Sequence, residues 1–517
     1  MDINTQQKHL IKDYVKLLEG NYLLVETQGI TPIKPSPVTH ITFDSKDVKE
    51  GTLFVAKGVH FKKEYLDMAM AKSAQCCLFD EEMKEKLGPI KYPYIVVSDI
   101  RKAMSDIAAY FYNNIYNNFK LIGITGTKGK STTTFLLKSI LDKYAKEYNK
   151  NESAVVSGIT NYDGIIREES HLTTPEAFTL YNHFNNAYKS NIEFLTMEVS
   201  SQALKYHRTR GIIFDIGGFL NIGEDHISDV EHPNFDDYVN SKLLLMNQCK
   251  TAVINMDDEF SHKFLKAAKE SSSVTKIITF GTTKDNVDLY GFDITPSKTG
   301  IEFKCKYKGV TQEYKLGLPG IFNVSNGLCA IAIAHNYNIP YETIRNGLLT
   351  GKVDGRMELF RINSEDKTII VDYAHNKLSF ESLFKSTKEE FKNSQLTVVF
   401  GCPGNKGVAR RHELPKVVAE HNIYAYITEE DYGEENLEDI SKEVYDNLIK
   451  FGGNGEIIND REEAITKAIS KASNGSVILI TGKGRETRQK RGTKYIDVPS
   501  DVEIVEELIK GINNGTE

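Results

Sequence analysis

The stretch "LIGITGTKGKSTTT" (residues 121–134) constrains the fold more than any other part of this chain. A short apolar run, a glycine-bearing turn and a helix-forming segment follow one another without a break. Main-chain N–H groups at a helix N-terminus point at an anion, glycines permit its close approach, and a lysine adds charge. The order strand, glycine loop, helix therefore predicts a phosphate-binding turn inside an α/β layer. Gly126, Thr127, Lys128 and Gly129 form the turn, and Lys130 carries the charge. Ser131, followed by Thr132, offers a hydroxyl to Mg2+. The spacing departs from the standard phosphate loop, which would place a glycine where this chain has Ile124.

The rest of the chain agrees with layered α/β structure. "AVIN" (252–255), "TVVF" (397–400), "AYIT" (425–428) and "SVILITG" (476–482) read as buried strands, and 131–144 and 502–512 repeat apolar residues at helical spacing. A chain of 517 residues is too long for one core, and about 150 residues per domain predicts roughly three. The expected blocks are 1–118, 119–352 with a β-rich part at 279–317, and 353–517, the last following the glycine-punctuated "GKVDGR" (351–356). A formal charge of −7 gives no reason to expect nucleic acid or an anionic membrane as partner. No run approaches the roughly 18 apolar residues of a membrane span. The N-terminus has no apolar signal core, and six scattered cysteines lack metal-type spacing. A cytoplasmic protein with reduced thiols is the expectation.

The shortened loop, G-T-x-G-K-[ST], resembles that of the ATP-dependent Mur ligases and of the folylpolyglutamate synthetases, which join a carboxylate to an amine. Further stretches favour the first. "DSKDVKEGTLFVAKG" (44–58) resembles the uridine-binding signature of the MurE type. "LTTPE" (172–176) and "MEVSSQAL" (197–204) resemble its muramoyl-peptide and metal segments, and "NIGEDH" (221–226) and "YVNSKLLL" (238–245) its Asp-His pair and modified lysine. "LPGIFNVSNGLCAIA" (318–332), "GRMEL" (355–359) and "VDYAH" (371–375) resemble elements that enclose ATP. "FGCPGNKGVARR" (400–411) and "TGKGRETRQ" (481–489) resemble amino-acid-binding elements. More than a hundred residues precede the loop, as a uridine-nucleotide domain needs, whereas folylpolyglutamate synthetases keep it near the N-terminus.

The resemblance implies a three-domain architecture: a phosphate-loop central parallel sheet, a Rossmann-like C-terminal domain and an N-terminal uridine domain. It implies a reaction in which ATP phosphorylates a carboxylate of UDP-N-acetylmuramoyl-dipeptide and an amine attacks the acyl phosphate. Such crowding of negative oxygens calls for cations and donors rather than a nucleophile. Lys130, Arg356 and Mg2+ answer that need. Glu198, ending the apolar run 194–199, is implied as a metal ligand, since a carboxylate there is costly unless it binds something. His226 read alone suits a structural role; within this constellation it joins the metal site. Lys242 read alone is a snorkelling surface lysine. By resemblance it forms a carbamate with CO2, which needs the neutral amine, and helps hold a second Mg2+. Thr173, Thr174, Ser200 and Arg208 are assigned to the muramoyl-peptide, Ser45, in the uridine-binding signature, to the same UDP-linked substrate, and Asn326, Arg356 and Asp372 to ATP. Arg411, Glu430, Asp431, Gly482 and Glu486 are assigned to the incoming amino acid.

Diaminopimelate-adding relatives carry Asp-Asn-Pro-Arg where this chain has Glu430-Asp431-Tyr432-Gly433, within the acid-rich "ITEEDYGEEN" (427–436). An acidic patch suits a terminal ammonium and repels a second carboxylate, so L-lysine is expected and diaminopimelate is the alternative. The lysine-adding branch usually has Asp-Asp-Pro-Asn there, so the motif departs from both. Arg485 replaces the usual histidine of "GKGHE", and Arg411, Arg485 or Arg488 could contact a carboxylate. A non-ligating paralogue would be expected to lose Lys130, Glu198 or Lys242, and all three are present. A monomer that closes its central and C-terminal blocks around ATP completes the expectation.

Overall fold

A computed structural model describes residues 9–30, 36–224, 227, 231–297 and 299–514. Contacts divide the chain into two compact units, Met1–Thr134 with Leu141–Thr279 and Phe135–Ile140 with Phe280–Glu517.

The first unit contains a five-stranded sheet ordered Leu24–Gln28, Tyr94–Val97, Cys76–Asp80, Thr52–Val55, His40–Thr42. Only the edge strand Leu24–Gln28 is antiparallel to its neighbour. A second sheet places Lys120–Thr125 between the parallel strands Phe194–Glu198 and Phe214–Phe219, with Ala154–Val156 and Cys249–Asn255 outside them. Leu121, Ile122 and Ile124 are completely buried, as a strand covered on both faces requires. One apolar cluster runs from Ile11 to Ala268. The expected boundary near residue 118 falls in this unit, at the end of the short turn Ile115–Asn118.

In the second unit, Leu289–Ser297, Gly300–Tyr307 and Val310–Leu316 form an antiparallel meander, the expected β-rich part. A six-stranded sheet follows, ordered Glu358–Ile362, Lys367–Asp372, Val477–Thr481, Leu396–Phe400, Tyr424–Ile427, Asn454–Ile457. Alternation along its strands builds two cores. Ile370, Val398 and Leu479 pack with helices Lys377–Glu390, Arg410–Glu420 and Leu437–Lys450. Ile369, Val371, Val399, Ile478 and Ile480 pack with Arg461–Lys471 and Asp501–Asn514 on the other side. The helices expected at 131–144 and 502–512 are present as Lys130–Glu147 and Asp501–Asn514. All six cysteines are buried and free, and no described helix is long and apolar enough to cross a membrane. In both units several of the residues singled out from sequence, among them the phosphate loop, Glu198, Asp372 and Gly482, lie at the carboxyl ends of parallel strands, the usual ligand edge of such sheets.

Candidate active site

In the first unit, the chain leaves Lys120–Thr125 through Gly126 and enters helix Lys130–Glu147 at Gly129, whose φ of +83° a side chain would resist. Lys130 folds back over the turn, its Nζ donating to the carbonyls of Gly126 (2.9 Å) and Thr127 (3.1 Å). The turn is braced from two other segments. Lys128 N donates to Asn221 Oδ1 at 2.9 Å, and Asn221 Nδ2 donates back to Lys128 O at 3.1 Å. Thr127 Oγ1 lies 3.0 Å from the Tyr238 hydroxyl and accepts from Gly223 N at 3.0 Å. Thr132 is buried and Ser131 half-buried on the first turn of the helix.

Glu198 and Lys242 are each 2% exposed. Glu198 ends its strand in register with Ile124. Its Oε1 accepts from Gly158 N at 2.9 Å, while Oε2 takes no hydrogen bond among the described residues. Lys242 lies on helix Phe235–Leu243, and its burial overturns the surface reading. Its Nζ donates to Gly126 O at 2.9 Å and sits 4.7 Å above the Tyr238 ring. The predicted His226 and its neighbour Asp225 lie outside the described residues. No three His, Cys, Asp or Glu side chains cluster among the described residues. Mg2+ takes oxygen donors, one or two carboxylates with water and phosphate oxygens completing its shell. The open oxygen of Glu198 and the hydroxyl of Ser131 are the donors offered.

Three of the substrate candidates, Thr174, Ser200 and Arg208, form one hydrogen-bonded group. Thr174 Oγ1 donates to Glu198 O (2.9 Å) and accepts from Ser200 N (3.0 Å), and Arg208 Nη1 donates to Thr174 O (3.0 Å). Ser200 also caps the short helix Ser201–Lys205. Thr173, beside Thr174, is half-buried near Gly158. Sequence reasoning missed two members. Glu176 bonds Arg208 Nη2 at 2.8 Å and Lys57 Nζ at 2.7 Å. Burial would raise the Glu176 carboxyl, but Lys57 and Arg208 outweigh it and hold the group below its ordinary value. Arg208 Nε is buried with no partner among the described residues, leaving one guanidinium donor unspent there. Ser45 is buried in the loop after His40–Thr42 and makes no hydrogen bond with this group.

In the second unit, Asp372 ends its strand and accepts from Met357 N (2.9 Å) and Ala374 N (2.8 Å), fixing "GRMEL" against "VDYAH". The Arg356 guanidinium lies 4.7 Å over the ring of Tyr373, whose hydroxyl donates to Glu486. Lys483 Nζ bonds Glu486 (2.7 Å), Asp431 (3.0 Å) and Arg488 O (2.6 Å). Arg356, Asp372, Asp431 and Glu486 are therefore joined through Tyr373 and Lys483, neither assigned from sequence. Asn326 is buried in helix Asn323–Asn336, its amide donating to Asn323 at 2.9 Å.

The acid-rich run is not a bare negative patch. Glu429 pairs with Arg491, Asp431 with Lys483, and Glu435 with Arg411. Arg411 also bonds Glu443 and the Pro403 carbonyl, so its guanidinium is largely spent inside the protein. Arg485 is likewise held, in a two-pronged pair with Glu358 at 2.7 Å. Glu430 differs: it is 8% exposed and takes no hydrogen bond among the described residues. Burial raises its carboxyl to about 7, against the pull of Arg410, Arg461 and Lys483. Gly482, at φ +107°, permits this approach, since a Cβ there would stand 2.9 Å from Glu430 Oε2.

Two family models match, "Mur ligase middle domain" over residues 124–334 and "Mur ligase, glutamate ligase domain" over 355–484. A Streptococcus pyogenes serotype M3 protein named UDP-N-acetylmuramoyl-L-alanyl-D-glutamate--L-lysine ligase is 35% identical, covering 91% of this chain and 92% of its own. The chain belongs to the Mur ligase family. A Clostridium perfringens relative named as the 2,6-diaminopimelate ligase for the same precursor is 33% identical to this Mur ligase, over 92% of this chain and 96% of its own. A solved structure of a 2,6-diaminopimelate ligase aligns with a TM-score of 0.66 at 25% identity, covering 96% of this chain and 99% of the other. The middle-domain match begins at Ile124, at the end of the strand that leads into the phosphate loop, and both relatives run through the acid-rich stretch while differing in the amine they are named for.

Proposed function

We propose that this Mur ligase is of the MurE type, adding a diamino acid to UDP-N-acetylmuramoyl-L-alanyl-D-glutamate in cytoplasmic peptidoglycan precursor synthesis. Mur ligases are ATP-dependent. The observation that carries the reading is the convergence of Lys130 and buried Lys242 on the Gly126 carbonyl, with the open oxygen of Glu198 on the neighbouring strand. Such a site holds phosphates and metal rather than a nucleophile.

On this reading, Lys130 and the main-chain donors of the loop grip the ATP phosphates. Ser131 and Glu198, with His226, would hold Mg2+, which would supply positive charge beside the phosphates. Lys242, as a carbamate, would add an anion for a second ion. Arg356, Asp372 and Asn326 serve ATP; Thr173, Thr174, Ser200, Arg208 and Ser45 serve the UDP-linked substrate. Residues 1–118, 119–352 and 353–517 act as uridine, ATPase and amino-acid domains of a monomer.

Glu176 holds Arg208 and Lys57, so Glu176→Gln is expected to raise the KM for the UDP-muramoyl-dipeptide about tenfold, with the KM for ATP unchanged. Steady-state kinetics in each substrate checks this.

For the amine, L-lysine is favoured. Glu430 is the buried acid of the run left without a partner, and it suits a distal ammonium. Arg488, largely exposed and 3.7 Å from Asp497, is the arginine least committed elsewhere and supports diaminopimelate as the second reading. Ligation assays with ATP, Mg2+ and a panel of diamino acids decide between them by kcat/KM. A residue with a carboxyl titrating at about 7 binds an ammonium only when ionised. The KM for the favoured amine is therefore expected to rise up to about tenfold per pH unit below 7, and Glu430→Gln to flatten that profile. A profile as steep in the variant would remove Glu430 from the amine site.

A further inference from the structure

We infer that Tyr373 is a positioning residue serving two substrates at once: its ring orients Arg356 and its hydroxyl orients Glu486. The inference rests on the proposed assignment of Arg356 to ATP and Glu486 to the amino acid, and it goes beyond both. Tyr373 directly follows Asp372, whose carboxylate fixes the Arg356 segment through Met357 N at 2.9 Å. The turn therefore delivers the arginine and the aromatic ring together, with the guanidinium 4.7 Å from the ring centroid. A planar cation over an aromatic face is held in direction as well as distance.

The opposite end of the same side chain donates to one oxygen of Glu486, while Lys483 holds the other at 2.7 Å. The carboxylate is thus gripped from two sides and cannot rotate freely. Burial, then the Glu486 charge, raises the Tyr373 hydroxyl well above an ordinary phenol, so it stays a donor throughout the working pH range. The His375 ring meets the Tyr373 ring edge-on with centroids 5.2 Å apart, which further limits its motion. One rigid side chain therefore links the residue assigned to ATP with the residue assigned to the amine.

The two halves of tyrosine are chemically separable. Tyr373→Phe keeps the ring and removes the hydroxyl. It is expected to raise the KM for the amino acid about tenfold and leave the KM for ATP within about twofold. Tyr373→Leu removes both, and is expected to raise the KM for ATP about tenfold as well. Combining Tyr373→Phe with Glu486→Ala should cost less than about twofold beyond Glu486→Ala alone, because both remove the same hydrogen bond. Thermal melts of each variant accompany the kinetics. Arg356→Ala and Glu486→Gln separate the possible failures. Suppose those two raise the KM for ATP and for amine respectively, while Tyr373→Phe moves neither or moves both equally. The role of Tyr373 is then overturned and the site assignment stands. If neither control moves its own KM, the assignment itself fails and the role of Tyr373 falls with it.

Discussion

Lys242→Met is expected to lower amine-dependent ADP release by about a thousandfold while the protein keeps its fold. Methionine is close to lysine in length and shape and suits a site that is 2% exposed. The change removes the hydrogen bond from Nζ to Gly126 O at 2.9 Å, and Lys130 Nζ still donates to that carbonyl at 2.9 Å. The Gly126 carbonyl is therefore not left without a donor. Activity falls for a different reason. On the proposed reading the amine is carried as a carbamate, and its loss would remove negative charge meant for metal. Lys242→Arg keeps the positive charge but carries no amine for CO2, so it is expected to be as inactive as the methionine variant. Carbon-13 NMR after exchange with labelled bicarbonate should give a carbamate resonance in the native protein that Lys242→Met lacks. An active arginine variant would mean that Lys242 serves as a cation, and a methionine variant within tenfold of native activity would remove it from the chemistry.

What could be read in advance follows from the range of the interactions. The buried strands announce themselves locally: Ile369, Ile370 and Val371 are consecutive apolar residues, and their alternation between the two cores follows from strand geometry alone. The place of Glu198 at the end of a buried strand was legible for a related reason, since it closes the apolar run before it. The phosphate loop is local too. Lys242 was not legible from its neighbours, because its burial is set by what helix Phe235–Leu243 packs against. Nor was the compensation of the acidic run. Asp431 and Glu429 find Lys483 and Arg491, 52 and 62 residues further along, so charge counted in a ten-residue window misstates the field. Glu176 meets Lys57 across 119 residues, a pairing no periodicity encodes. Family likeness supplied roles for single residues, whereas the linking residues Tyr373, Lys483 and Glu176 emerged only from distances.

Glu198→Gln should give the second large effect, a fall in kcat of about a hundredfold to a thousandfold, with the half-saturating Mg2+ concentration raised at least about tenfold. Glutamine preserves shape and retains an oxygen for Gly158 N, now 2.9 Å from Oε1. It lacks the charge that a hard divalent cation requires. Glu198 makes no ion pair among the described residues, so its charge is a cost the native fold carries. The melting temperature of the variant in the absence of metal is therefore expected to hold or rise. Activity and stability moving in opposite directions is the signature of a group kept for chemistry. A purely structural Glu198 would show the reverse, with stability lost and the Mg2+ dependence unchanged. Metal titrations followed by ADP release, run beside thermal melts with and without Mg2+, separate the two. Activity within threefold of native at one saturating Mg2+ concentration, together with a lowered melting temperature, would take Glu198 out of the metal site.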